Sequence, residues 1–251
     1  MPLADRLEWA TFSLLSTSAG LSEDAFFDRI AGMFAGPDTP DEELVRACFE
    51  SYSAPDSTPE RAYSGDQLQA RFDEHTVLVG LLAEYGHRLG LRCWIGRHEQ
   101  KRSFRGAPLG SLLSEREQRV FLPSVTAGRT EALEATDCIW YLRGGLATFL
   151  FEVEWTAMLS ETLLRARRIG TDDTVVRFLV VLPERVELLR LKLDRSPLLR
   201  EELAHGNWHI LKADHLRRLM SREEANLEHL APYLGLDPEI ERQGEQLALF
   251  G

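Results

Sequence analysis

Cysteine is scarce in this sequence. Only Cys48, Cys93 and Cys138 occur, an odd number with no Cys-x-x-Cys pair, which argues against a disulfide framework and against a zinc knuckle. Isolated thiols suit a reducing compartment. No apolar run approaches the roughly 20 residues of a membrane helix. The stretch Met1-Pro-Leu-Ala-Asp-Arg-Leu-Glu lacks the basic-then-apolar pattern of an export signal, so a cytoplasmic location is expected. No Gly-x-x-x-x-Gly-Lys-Ser loop is present to cradle a nucleotide, and no Gly-x-Ser-x-Gly elbow to carry a nucleophilic serine. The histidines at 205, 209 and 215 lack a zinc-like spacing with a fourth ligand. What the chain does have is ordinary globular material: 251 residues, 44% hydrophobic and 27% charged, enough for a core without staples.

The net charge of −11 is unevenly spread. Residues 1–66 hold 13 acids and 4 bases, and residues 219–251 hold 7 acids and 2 bases. The middle, 67–218, holds 20 acids and 23 bases, so a basic surface on an acidic chain fits there.

Organisation follows the same division. Residues 1–55 read as a helical subdomain of three short helices. The second opens at Ser22-Glu-Asp and the third at Thr39-Pro-Asp-Glu-Glu. Its acidity favours packing or protein contact over reading DNA. Residues 56–66 are linker-like. In 67–218 a helix from about Gln67 to Leu89 precedes a strand at Leu91–Gly96 and a helix around 109–120. Thr136–Tyr141 and Ala147–Val153 read as strands joined at Arg143-Gly-Gly. A helix over 156–168, a doubly buried strand at Val175–Leu182, a helix at Glu184–Leu193 and a short strand at Trp208–Leu211 follow. A last helix starts at His215–Met220, and 219–251 makes a C-terminal helix and tail. This order is mixed α/β.

Glu152 and Glu154 stand at i and i+2 in Ala-Thr-Phe-Leu-Phe-Glu-Val-Glu, so both point to one face of a largely buried strand. Two buried carboxylates need compensation, most simply by a cation; the alternative is an exposed strand face with Arg143 or Arg165 as partners. Asp137 starts the partner strand and lies across from Glu152. Acids so placed suit Mg²⁺, which takes oxygen ligands and can activate a water against a phosphodiester.

The run Thr136-Asp-Cys-Ile-Trp, a Gly-rich turn, then Phe151-Glu-Val-Glu-Trp-Thr and a helix with Leu163-Leu-Arg resembles the core of the PD-(D/E)xK nuclease superfamily over residues 67–218. The resemblance implies a restriction endonuclease-like mixed central sheet flanked by helices. It implies a catalytic set of Glu74, Asp137, Glu152 and Glu154, with Glu74, Asp137 and Glu152 holding Mg (or Mn). Glu74 takes the place of the superfamily's helical acid, in Phe72-Asp-Glu-His-Thr. The chain departs at the third motif position, where Glu154 replaces the usual lysine. His75 and Arg165 are candidate phosphate contacts. The activity implied is a metal-dependent DNA endonuclease, or nuclease subunit, of a bacterial defence or DNA-processing system. The alternative is an inactive nuclease-fold module that binds DNA or a helicase or methyltransferase partner. At the C-terminus, Gln246, Leu247, Leu249 and Phe250 resemble the Gln-Leu-x-Leu-Phe peptide that binds the bacterial sliding clamp.

Overall fold

A computed structural model describes residues 1–18, 21–52, 65–114, 130–142, 147–154, 159–169 and 175–233. Residues 56–64 of the expected linker, the Arg143-Gly-Gly turn and the clamp-like peptide lie outside these residues, and Gly65 and Asp66, expected in the linker, are helical. Among the described residues no helix is long and apolar enough to cross a membrane.

The chain opens with α1 (Leu3–Thr17), α2 (Glu23–Met33) and α3 (Glu42–Glu50). Ser22 caps α2 by accepting from the Ala25 amide. Asp41, rather than Thr39, caps α3, accepting from the Leu44 amide at 2.9 Å. The long helix α4 (Gly65–Arg88) ends at Gly90, whose φ of +75° is the left-handed backbone that a glycine adopts without strain.

A five-stranded sheet follows. It comprises β1 (Arg92–Ile95), β4 (Cys138–Tyr141), β5 (Ala147–Glu154), β6 (Val176–Val181) and β7 (Trp208–Lys212), in the order β1-β4-β5-β6-β7. β1, β4 and β5 are antiparallel neighbours, and β5, β6 and β7 run parallel. The mixed α/β expectation, with a central sheet flanked by helices, is thereby met. Two short strands, β2 (Ser103–Phe104) and β3 (Ala107–Pro108), form a separate hairpin.

The parallel crossovers are helical, as parallel strands require. α6 (Leu159–Ala166) follows β5, and α7 (Val186–Arg195) with α8 (Pro197–His205) follows β6. α5 (Thr130–Ala135) leads into β4, and α9 (Ala213–Met220) follows β7. Four details escaped sequence reading: the hairpin, α5, α8, and a short 3₁₀ turn at Leu109–Leu112, where the helix expected around 109–120 was to begin; residues 115–120 of that helix lie outside the described residues. The α8 start does have a signature, Ser196-Pro197, with Ser196 capping the Leu199 amide.

Alternation along the strands splits the core in two. Ile95, Trp140, Phe151, Val153 and Phe178 pack with Leu78, Leu82 and Tyr85 of α4. Ile139, Leu150, Leu179 and Val181 pack on the other face with residues of α6, α7 and α8. A third cluster joins α1, α2 and α3 to Leu188 and Leu191 of α7. The helix α7 therefore carries apolar side chains in both directions and couples the N-terminal helices to the sheet.

Candidate active site at the end of the central strands

Where β1 ends, β4 begins and β5 ends, the strand ends converge. Ile95 pairs with Cys138, and Cys138 pairs with Phe151. Asp137, one residue before β4, therefore faces Glu152 near the end of β5. Its Oδ2 accepts from the Val153 amide at 2.7 Å, which fixes the carboxylate against the strand. The backbone behind it is pinned as well. The Gly96 amide donates to the Asp137 carbonyl and the Arg97 amide to the Glu134 carbonyl. A Cβ at Gly96 would come within 2.5 Å of the Thr136 carbonyl oxygen, so only glycine permits this approach.

Above these strand ends lies a cavity of about 360 Å³, lined by His75, Glu99, Arg102, Asp137, Glu152, Glu154 and Arg165, with Trp9 and Phe72 at its sides. Glu152 is 2% exposed. Its Oε2 accepts from Arg165 at 3.0 Å, while its Oε1 is buried without a hydrogen-bond partner. Burial pushes the Glu152 carboxyl up to about 8, against the pull of Arg165 and with Asp137 adding to the rise. Arg165, one of the arginines named from sequence as a partner for the strand carboxylates, pairs with Glu152.

His75 stands between two acids, Nε2 3.4 Å from Asp137 Oδ2 and Nδ1 3.5 Å from Glu99 Oε2. Burial alone would lower its pKa, but Asp137 and Glu99 outweigh burial and hold the imidazolium up to about 10. Glu99 comes from the turn after β1 and also meets Arg102 at 3.2 Å.

Glu154 borders the same cavity, but both its oxygens belong to Arg185. Nε donates to Oε2 at 2.9 Å and Nη2 to Oε1 at 3.0 Å. Arg185 is 1% exposed and also holds Glu8 and Ser51. Lys192 in turn meets Glu8, and Asp5 at 2.9 Å. Burial raises the pKa of Glu154, with Arg185 opposing. Burial would raise Glu8 too, yet Arg185 and Lys192 together hold it at about 2. The N-terminal helix is thus tied to the site by charge. Asp5 also accepts from the Ser160 amide at 3.1 Å and from its hydroxyl, at the start of the helix that carries Arg165.

Of the residues singled out from sequence, the structure brings together Asp137, Glu152, Glu154, His75 and Arg165. Glu74 departs. Its carboxylate pairs with Arg217 of α9 and does not line the cavity. Adjacent helical residues point about 100° apart, so His75 faces the site and Glu74 faces away from it. Glu99 and Arg102 went unnoticed because they lie in a turn with no periodicity. Their one signal is position, just after a strand that ends beside Asp137. Lys192 and Arg195 of α7 are engaged with acids of the N-terminal segment, Asp5 and Glu8 for the first and Asp41 and Glu43 for the second.

Comparison with known proteins gives one family. The model of the type II restriction enzyme NmeDI C-terminal domain matches residues 56–204, more than half of the chain. Searches of curated proteins and of solved structures returned no match.

Proposed function

The chain belongs to the family of the type II restriction enzyme NmeDI C-terminal domain, and on that premise we propose that it is a divalent-metal-dependent DNA endonuclease of a bacterial restriction or defence system, acting in the cytoplasm. The observation that carries the reading is the pairing of Asp137 and Glu152 across two strand ends, with a buried, unpartnered Glu152 oxygen opening into the cavity. A divalent cation fits that place. An orphaned buried carboxylate oxygen is costly unless a cation meets it, and hard oxygen donors are what Mg²⁺ and Mn²⁺ take.

Asp137 and Glu152 would hold the ion. When bound, such an ion polarises a phosphodiester and lowers the pKa of a water. The chain's own residues do the rest. The Val153 amide keeps Asp137 oriented. Arg165 and Arg102 line the cavity and offer guanidinium groups to phosphate oxygens. Trp9, half exposed at the side, gives a flat apolar surface for the substrate. Glu154 sits where the superfamily's lysine usually stands, and its grip by Arg185 supports a positioning role over that of a metal ligand.

One observation favours a second reading, a nuclease-fold module that binds DNA or a helicase or methyltransferase without cutting: both strand carboxylates already have arginine partners. One experiment separates the two. Purified protein is incubated with plasmid, duplex oligonucleotide and single strand in Mg²⁺, Mn²⁺ or EDTA. Cleavage that needs metal and is lost in Asp137→Asn and Glu152→Gln supports the endonuclease. DNA binding with no cleavage in any metal supports the module. The tail peptide with Gln246, Leu247, Leu249 and Phe250 belongs to this proposal as a sliding-clamp ligand, and a peptide of residues 241–251 that fails to bind purified clamp removes it.

A further inference from the structure

We propose that Trp9 is a stacking platform for a nucleobase, and that the cavity therefore favours DNA in which the base next to the bound phosphate is unpaired. The inference rests on reading the cavity as a DNA-cleaving centre and names the form of DNA that such a centre takes.

Trp9 does not behave as a core residue. It is 51% exposed, while Trp94, Trp140 and Trp208 are buried. Trp94 and Trp140 donate their indole N–H groups to the carbonyls of Leu133 and Leu82, whereas that of Trp9 meets no acceptor among the described residues. Its one ring contact among those residues is with Phe12, at 6.0 Å and 32°. Phe72, the other aromatic side chain at the cavity, already has the Arg102 guanidinium 5.2 Å over its ring. Trp9 thus keeps a large flat surface open where the cavity meets solvent.

The indole is also held in place. Its chain neighbour Glu8 is buried with Arg185 and Lys192. Asp5, about one turn earlier, accepts from the Ser160 amide at 3.1 Å and from the Ser160 hydroxyl. Ser160 lies in the first turn of α6, which goes on to place Glu161, Thr162 and Arg165 along the cavity. These bonds set α1 against α6, so the Trp9 ring and the Arg165 guanidinium border one cavity in a fixed relation. Burying charge to fasten a helix is costly. What that fastening positions over the strand ends is Trp9.

The occupant follows from what stands beside the ring. Arg165 and Arg102 suit a phosphate, and an open indole suits a flat ring. A nucleotide carries both. Every base has a π-face, so such a platform reads no sequence. It separates a free base from a paired one, because a paired base must first be taken out of its stack. Size agrees with this. A cavity of about 360 Å³ is in the range of small-molecule sites, and a duplex cannot enter it. Trp9 lies outside residues 56–204, so the platform comes from the N-terminal helices and not from the segment matched to the restriction-enzyme family.

The test uses the full chain in EDTA, so that binding is read without cleavage. Fluorescence anisotropy follows its binding to labelled DNA of one sequence as single strand, as perfect duplex and as duplex with one bulged base. The single strand and the bulged duplex are expected to bind more tightly than the perfect duplex. Trp9→Ala should weaken those two by roughly fivefold to a hundredfold and leave the perfect duplex unchanged. Trp9→Phe should keep most of the preference, and Trp9→Leu, apolar but without a ring, should lose it. Tryptophan emission gives a second readout: the single strand should quench the wild type and not Trp9→Phe. Thermal melting checks that each variant folds. An equal preference in wild type and Trp9→Ala overturns the proposal. So does a wild type that binds all three forms alike, or a Trp9→Leu variant that matches Trp9→Phe. The outcome is separable from the endonuclease reading. Trp9-dependent binding of unpaired DNA by a protein that cuts nothing in any metal sustains the platform and removes the endonuclease. Metal-dependent cleavage of all three forms at equal rates, in wild type and Trp9→Ala alike, does the reverse.

Discussion

Glu152 and Glu154 lie two residues apart on one face of one strand, are both nearly inaccessible, and meet opposite fates. Glu154 enters a closed ionic cluster. Arg185 takes both its oxygens, and Lys192, Asp5 and Glu8 extend the network into α1. Glu152 borders an open cavity with one oxygen satisfied and the other bare. The first acid is neutralised by residues far along the chain, which makes it part of the structure. The second is only half neutralised, which leaves it available to something that is not protein. Burial by itself did not separate them; partner supply did.

The largest expected effect breaks the closed side. Arg185→Met leaves Glu8 and Glu154 buried without their shared guanidinium, and removing one partner of such a pair costs about 3–5 kcal/mol. Urea unfolding measures it. A loss under about 1 kcal/mol, the scale of an exposed pair, would show that Lys192 suffices and that the cluster is not closed in the sense argued. Arg165→Ala, on the open side, should cost no more than about 1 kcal/mol, because Arg165 is partly exposed and Glu152 can take up a proton instead.

Acid sharpens the contrast next. Glu8 is held at about 2 in the folded chain, against an ordinary glutamate value of 4.5. A depressed carboxylate stabilises fully above its unfolded pKa and loses that contribution as pH falls through the folded value. The closed cluster should therefore weaken between about pH 4.5 and 2, by on the order of 3 kcal/mol. Glu152 has the opposite sign. Its folded value of about 8 means that, in chelator, stability falls as pH rises from about 4.5 through 8. Melting curves across pH in EDTA should show both slopes. Glu8→Gln should flatten the acid slope, and Glu152→Gln should take its share from the alkaline one, leaving the loss that His75 causes as pH rises from about 6.5 to 10. A slope unchanged in its own variant means that assignment is wrong.

Smaller, and confined to the open side, is the effect of Glu152→Gln at neutral pH. In chelator the melting temperature should be unchanged or higher, since a half-compensated buried acid is gone. Added Mn²⁺ should raise the wild-type melting temperature, because the ion binds only the folded site, and should raise the variant's less. Equal shifts would indicate ions acting elsewhere. The smallest effect is expected from Ser160→Ala, which removes the hydroxyl bond to Asp5 and should cost about 0.5–1.5 kcal/mol.

The open side was more legible from sequence than the closed one. An i, i+2 acid pair in an apolar strand, with an acid at the start of the neighbouring strand, is a local pattern, and local patterns survive in a one-dimensional reading. The sheet was legible for the same reason, because Val175–Leu182 and Phe149–Val153 announce themselves by composition. The choice between Glu74 and His75 was not, since helix phase is set by what α4 packs against. Glu99 was hidden in a turn. No local pattern marks Arg185 or Lys192 as interior, and only the N-terminal helices, folding back onto α7, make them so.

That fold-back has a consequence for the order in which the molecule comes together. Asp5 meets Ser160 across 155 positions of sequence, and Glu8 meets Arg185 across 177. During synthesis the two acids emerge long before the cations that neutralise them, Arg185 and Lys192, so they stay hydrated while the strands are still being made. The first three helices cannot finish their own core either, because Leu188 and Leu191 complete it. Contacts this distant make assembly slow and place it late. The wall of the cavity that includes Trp9 is thus among the last parts to close, and a chain interrupted before α7 would have its strand acids without the wall that bounds them.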